Sequence, residues 1–124
     1  MSRVLSYRDL DAWQKAMTLV ERCYKLTASF PRDELFGLTA QVRRAAVSIP
    51  ANIAEGHRRS RLAYLHHLAI ALGSQAELET QLELATRLNF LKPAQVNDVQ
   101  EMNRDVGRLL HGLVRSLDRR TPNP

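Results

Sequence analysis

A single cysteine, Cys23, stands in a chain of 124 residues, so no internal disulfide can form. A lone thiol agrees with a reducing compartment, and Cys23 is expected as a small core residue rather than a reactive one. No stretch approaches the roughly 18 apolar residues a membrane span needs. The opening, MSRVLSYRDLDAW, also lacks the apolar run of a secretory signal, so a cytoplasmic location is the expectation. Five glycines and five prolines are few interruptions, and aromatic residues make up only 6%. There is no nucleophile elbow, Walker loop, paired-cysteine metal motif or His-Glu-x-x-His. The chain is therefore expected to be no enzyme and to hold neither cofactor nor metal.

Helix-favouring Leu, Ala, Arg, Gln and Glu dominate instead. With 44% hydrophobic and 25% charged residues the composition is that of one soluble globular domain over 1–124. The net charge of +5 and a pI near 10 favour polyanions such as nucleic acid, although such a charge also serves solubility.

Apolar residues recur at steps of three and four in four segments, at about 9–29, 33–55, 61–88 and 93–118, with a polar tail at 119–124. In the first, Leu10, Trp13, Met17, Val20 and Tyr24 form one stripe, and Ala12, Ala16, Leu19, Cys23, Leu26 and Phe30 form another. Asp9 is the expected N-cap and Phe30-Pro31 the stop. The second carries Leu38, Val42, Ala45, Ile49 and Ile53 on one side, with Ala40, Val47, Ala51 and Ala54 nearly opposite. Pro50 predicts a kinked helix that continues through it, with Gly56 as the stop. The third begins after the N-cap Ser60 on the phase Leu65, Ala69, Leu72, Ala76, then shifts beyond Gly73-Ser74 to Leu78, Leu82 and Ala85. The fourth opens at Pro93 and carries Val96, Val99, Met102, Val106, Leu109, Leu113 and Leu117. Short connections predict an all-α, up-down antiparallel four-helix bundle.

Two apolar sides on each of the first two helices exceed what a monomeric bundle needs. Either these are the most buried helices of one subunit, or the alanine-rich extra stripes pack against sister copies, and symmetric self-association is the favoured expectation.

Asn52 and Glu55, with Ser74, Glu77 and Glu79, put polar groups beside apolar faces. They are expected to form a hydrogen-bonded and ionic network with Arg43 or Arg44 that fixes register or subunit packing, in preference to a carboxylate active site. The adjacent His66 and His67 diverge by about 100° on a helix, which is wrong for one metal, and are expected at a surface or interface. Two basic groups are the candidate nucleic-acid contacts: Arg58, Arg59 and Arg61 with His57 in the turn after the second segment, and Arg104, Arg108, Arg115 and Arg119 with His111 along the fourth, extended by Arg120. Alone, each could be a solvated face paired with Glu101, Asp105 and Asp118. Repeated around a symmetric ring, the contacts would add through avidity and counterion release. With Tyr64 the only aromatic near the first group, sequence-specific base stacking is not expected.

The blocks DLDAWQKAM (9–17), GLTAQVRRAAVSIPANIAEGHRR (37–59) and ALGSQAELETQLELA (71–85) resemble the four-helix-bundle family first known as 23S rRNA intervening-sequence proteins, a resemblance that runs from Asp9 to Leu117. It implies an antiparallel bundle that assembles as a homopentamer. Some members are encoded inside insertions in bacterial 23S rRNA genes, which implies a ribosomal component as one candidate partner. The family is also similar to the accessory variability protein of diversity-generating retroelements, which implies nucleic acid, RNA or DNA, and a reverse transcriptase as others. The expected function is thus a non-enzymatic scaffold that binds nucleic acid, RNA above all, with a protein–protein interaction module as the alternative.

Overall fold

The computed structural model describes residues 6–119. Among them are four α-helices and no strand: α1 (Asp11–Thr27), α2 (Leu38–His57), α3 (Arg61–Arg87) and α4 (Pro93–Arg119). A 3-10 turn at Tyr7–Asp9 precedes α1, and another at Arg32–Glu34 lies between α1 and α2. α1 and α3 each pack on both α2 and α4, so four apolar stripes meet on one core. Leu19 and Cys23, Val42, Ile49 and Ile53, Leu68, Leu78 and Leu82, and Val106 and Leu110 are completely buried there. Each large aliphatic among them contributes about 1.5–3 kcal/mol by leaving water. No helix of the described residues is long and apolar enough to cross a membrane.

The ends are set by local chemistry. Ser60 Oγ accepts the Ala63 amide at 3.3 Å and starts α3. α3 closes through Asn89, whose φ of 63° lies in the left-handed region. There Phe90 N–H donates to Ala85 O at 2.9 Å and Asn89 N–H to Thr86 O at 3.0 Å, the pairing of a Schellman cap. Pro93 opens α4, where a missing amide proton costs nothing. α2 continues through Pro50, which is itself buried.

Several expectations are corrected. Asp9 does not cap α1; it belongs to the preceding 3-10 turn, where its carboxylate accepts the Ser6 amide at 3.1 Å, and Leu10 takes the cap position without a side-chain bond. Asp33 is not helical, because residues 32–34 form their own 3-10 turn and Glu34 Oε1 reaches forward to the Leu38 amide at 3.0 Å to start α2. Gly56 does not stop α2, which runs on to His57. In α1 the alanine-bearing stripe Ala12, Ala16, Leu19, Cys23 faces the core, whereas Met17 and Tyr24 of the larger stripe are exposed. α3 undergoes no phase shift: Tyr64, His67, Leu68, Ala71, Ser74, Leu78, Leu82 and Ala85 form one continuous buried face, and Ala69 and Ala76 lie outside. Two polar side chains on that face disguise it.

Candidate nucleic-acid interface

The helix order carries Arg58, Arg59 and Arg61 of the first arginine group and Arg108 and Arg115 of the second to one end of the bundle, whereas Arg104 stays mid-bundle at Glu79. Arg58, Arg59 and Arg61 surround the α2–α3 turn, and the 3-10 turn at the start of the described chain folds over this end. Tyr7 lies in a shallow depression with Ala51, Ala54, Glu55 and Arg58. On its other side, residues Asp9 to Ala12 share a depression with Arg108, Leu109, Gly112, Leu113 and Arg115 of α4. The opposite end is marked by Phe30 against Phe90, with ring centroids 5.6 Å apart.

At the basic end the half-buried ring of Tyr7 is the focus. The Arg8 guanidinium carbon lies 4.7 Å from its centroid and that of Arg58 5.4 Å. The edge of Trp13 packs 5.4 Å away, holding the tyrosine from the α1 side. Among the described residues neither Arg8 nor Arg58 has a carboxylate within ion-pair range. Cation–π contacts of about 0.5–1 kcal/mol at exposed sites therefore orient these guanidiniums without neutralising them.

Arg59 is placed differently. Its Nη1 lies 3.9 Å from Glu55 Oε1 and 3.3 Å from His67 Nε2. His67 Nδ1 faces Asn52 Oδ1 at 2.9 Å, while Asn52 Nδ2 donates to Ser48 O at 2.8 Å and Ser48 Oγ at 3.1 Å. Because the Asn52 amide nitrogen is spent on Ser48, the histidine must donate from Nδ1, which leaves Nε2 of the neutral ring to accept from Arg59. Ser74 Oγ donates to Ser48 Oγ at 2.8 Å and completes a polar chain from the α2–α3 turn to mid-bundle.

Asn52, Glu55 and Ser74 are thus linked, but Arg43 and Arg44 are not their partners. Arg43 turns toward α1, where Nε donates to Thr27 Oγ1 at 2.9 Å and the guanidinium stacks on Tyr24 at 4.5 Å. Arg44 lies one position further round the helix, beside Gln41, Ser48, Ser74, Glu77 and Gln81 in an open cleft between α2 and α3. Arg44 and Glu77 form no ion pair there. Glu79 belongs to the α3–α4 seam, with Oε2 3.7 Å from Arg104 Nη1. Arg108 pairs with Asp105, which Lys15 Nζ also approaches at 3.8 Å. Arg115 is exposed at the same end, Arg119 is the last residue of α4, and Arg120 lies outside the described residues.

His67, expected at a surface or interface, is instead buried in the subunit, and Asn103, which is not among the expected site residues, is completely so. Asn103 Nδ2 donates to Gln75 O at 3.0 Å and Gln75 Nε2 donates to Asn103 O at 3.2 Å, a reciprocal clamp between α3 and α4. A visible signal exists for Asn103: it is the polar member of the series Val96, Val99, Asn103, Val106, Leu110, which shares one helical face. For chemistry, no group of three or more His, Cys, Asp or Glu among the described residues could hold a metal ion. Burial pushes the Cys23 thiol up to about 12, so it stays protonated and is a poor nucleophile.

A family model described as "23S rRNA-intervening sequence protein" matches residues 8–112. Among solved structures, the chain is similar to a protein of unknown function from the S23 ribosomal protein family of Bacteroides thetaiotaomicron. The two are 26% identical with a TM-score of 0.75, covering 84% of this chain and 98% of that one. No curated protein matches the sequence.

Proposed function

Since the chain belongs to the 23S rRNA-intervening sequence protein family, we propose that it is a non-enzymatic scaffold that binds nucleic acid, RNA above all, through the basic end of its bundle. One observation carries this reading: Arg58 of the α2–α3 turn and Arg108 and Arg115 of α4, far apart in sequence, flank the same 3-10 turn, and among the described residues Arg8 and Arg58 have no carboxylate partner. Phosphates would supply the missing counter-charge.

The subunit order is up-down antiparallel, which the crossed pairings support: Asn52 with His67 and Ser48 with Ser74 between α2 and α3, Gln75 with Asn103 and Glu79 with Gln100 between α3 and α4. The working unit is a homo-oligomer, a pentamer by the family's pattern. Support comes from Met17, Tyr24 and Val47, each at least 40% exposed on the outer faces of α1 and α2. The lone thiol supports a cytoplasmic setting. Binding of labelled RNA across a salt series tests the reading, because affinity must fall steeply as salt rises. Salt-independent binding, or none, overturns it. Light scattering tests the oligomer, and a lone 14.1 kDa particle overturns that part.

A second reading, a protein–protein interaction module, is favoured by the opposite end. Phe36 is 92% exposed there, with Leu35 and Leu88 about half exposed. Loss of a protein partner on Phe36→Ser, with RNA binding absent, would establish it.

A further inference from the structure

The contact of two guanidiniums with one tyrosine ring does more than add charge. Helical surface arginines that serve only as charge extend into water or pair with acids, as Arg87 does with Glu83 at 3.1 Å. Arg8 and Arg58 instead converge on Tyr7, at 4.7 and 5.4 Å from its centroid. Trp13 packs against the ring in a T-shaped contact, and Glu55 at the rim is already engaged by Arg59. The result is a cationic cluster on one ring, and among the described residues no hydrogen bond or ion pair engages either guanidinium. A guanidinium resting on an aromatic ring keeps its planar outer face, on which an unpaired base can stack, while its edge donates to the phosphodiester beside that base. A duplex keeps its bases stacked on each other and offers this surface only phosphates.

We propose that Tyr7, Arg8 and Arg58 form a stacking site for an unpaired nucleotide, so that the basic end prefers single-stranded over double-stranded nucleic acid. This rests on the nucleic-acid reading above and narrows its ligand to a single strand. Such stacking needs no sequence preference, so it stands beside the expectation that sequence-specific base stacking is absent; Tyr7 is distant in sequence from the α2–α3 turn it serves.

The test compares a short adenine-rich RNA strand, its DNA counterpart and the same RNA annealed to its complement, each labelled, against the full chain. Wild-type protein should bind the single strands more tightly than the duplex, and the fluorescence of Trp13, the only tryptophan, should change with the single strands alone. Tyr7→Leu and Arg58→Lys, the second keeping the charge and losing the plane, should each weaken single-strand binding about tenfold, the scale of one base stack, with duplex binding unchanged. Tyr7→Phe should bind as wild type, which separates stacking from misfolding. Equal binding of RNA and DNA strands assigns the site to base and phosphate; tighter RNA binding adds a 2′-hydroxyl contact, and either outcome supports the proposal. Variants that leave single-strand binding intact, or weaken strand and duplex alike, overturn it while the broader reading stands. Failure of wild-type protein to bind any of the three probes overturns both.

Discussion

Gly56 of α2 lies so close to α3 that a Cβ there would come within 2.7 Å of His67 Cβ and 2.9 Å of Tyr64 Cδ1. The close approach is what lets His67 reach Asn52 and Arg59 together. Gly56→Ala must push the helices apart and is expected to cost about 1–3 kcal/mol, the range for an overpacked core. Gly73 provides the internal control, since nothing lies within 4 Å of a Cβ built on it. Gly73→Ala should raise stability by up to about 1 kcal/mol through helix propensity. Urea unfolding of both variants measures the contrast, and equal effects would show that the α2–α3 distance is not set at Gly56.

Asn103 and Gln75 hold α3 and α4 in register through two reciprocal bonds to each other's backbone. Asn103→Ala removes the donor and leaves a cavity at a fully buried position, with an expected loss of about 1–3 kcal/mol. Asn103→Leu should recover part of that by apolar filling, yet broaden the amide NMR spectrum of α4 if the clamp specifies register. A sharp spectrum with wild-type melting for Asn103→Leu would remove that role.

Cys23 gives a pH signature. Its thiol is held by burial at about 12, whereas in the unfolded chain it ionises near the ordinary value of about 8.5. Between those values the folded state binds more protons, so the contribution to stability is full below the unfolded value and is lost as pH rises toward the folded one. The slope reaches at most about 1.4 kcal/mol per pH unit. Unfolding free energy measured from pH 8 to 10 should fall more steeply in the wild-type chain than in Cys23→Ala. The native thiol should also resist alkylation until the protein unfolds.

The Glu79–Arg104 pair, at 3.7 Å and about half exposed on both sides, is expected to matter little. Charge reversal of both together, by Glu79→Arg with Arg104→Glu, should shift unfolding free energy by less than about 1 kcal/mol. A larger loss accompanied by a smaller particle in light scattering would place this pair in a contact between subunits instead.

How far the architecture could be read from residues depends on what occupies the core positions. α2 was transparent because Leu38, Val42, Ala45, Ile49 and Ile53 are all apolar and all buried. The face of α3 is hidden in the sequence because His67 and Ser74 occupy two of its buried positions, so that a continuous stripe looks broken at Gly73-Ser74. These are the residues that tie α3 to Asn52 and Ser48, so the same polar chemistry that links the helices hides the periodicity. Helix starts were displaced wherever a 3-10 turn supplied its own hydrogen bonds, as at Asp9 and Asp33. The arginines were visible one by one. Their grouping was not, because proximity of Arg58 to Tyr7 and of Arg115 to Asp9 arises only when the four helices fold back on one another.

The 27 residues of α3 span about 40 Å at 1.5 Å each, and the arginine turn and the bare ring of Phe36 lie toward its two extremities. At physiological salt an exposed charge is screened beyond about 8 Å. A charged ligand held at one tip would therefore be electrically invisible from the other, with the shaft between them acting as an insulating spacer.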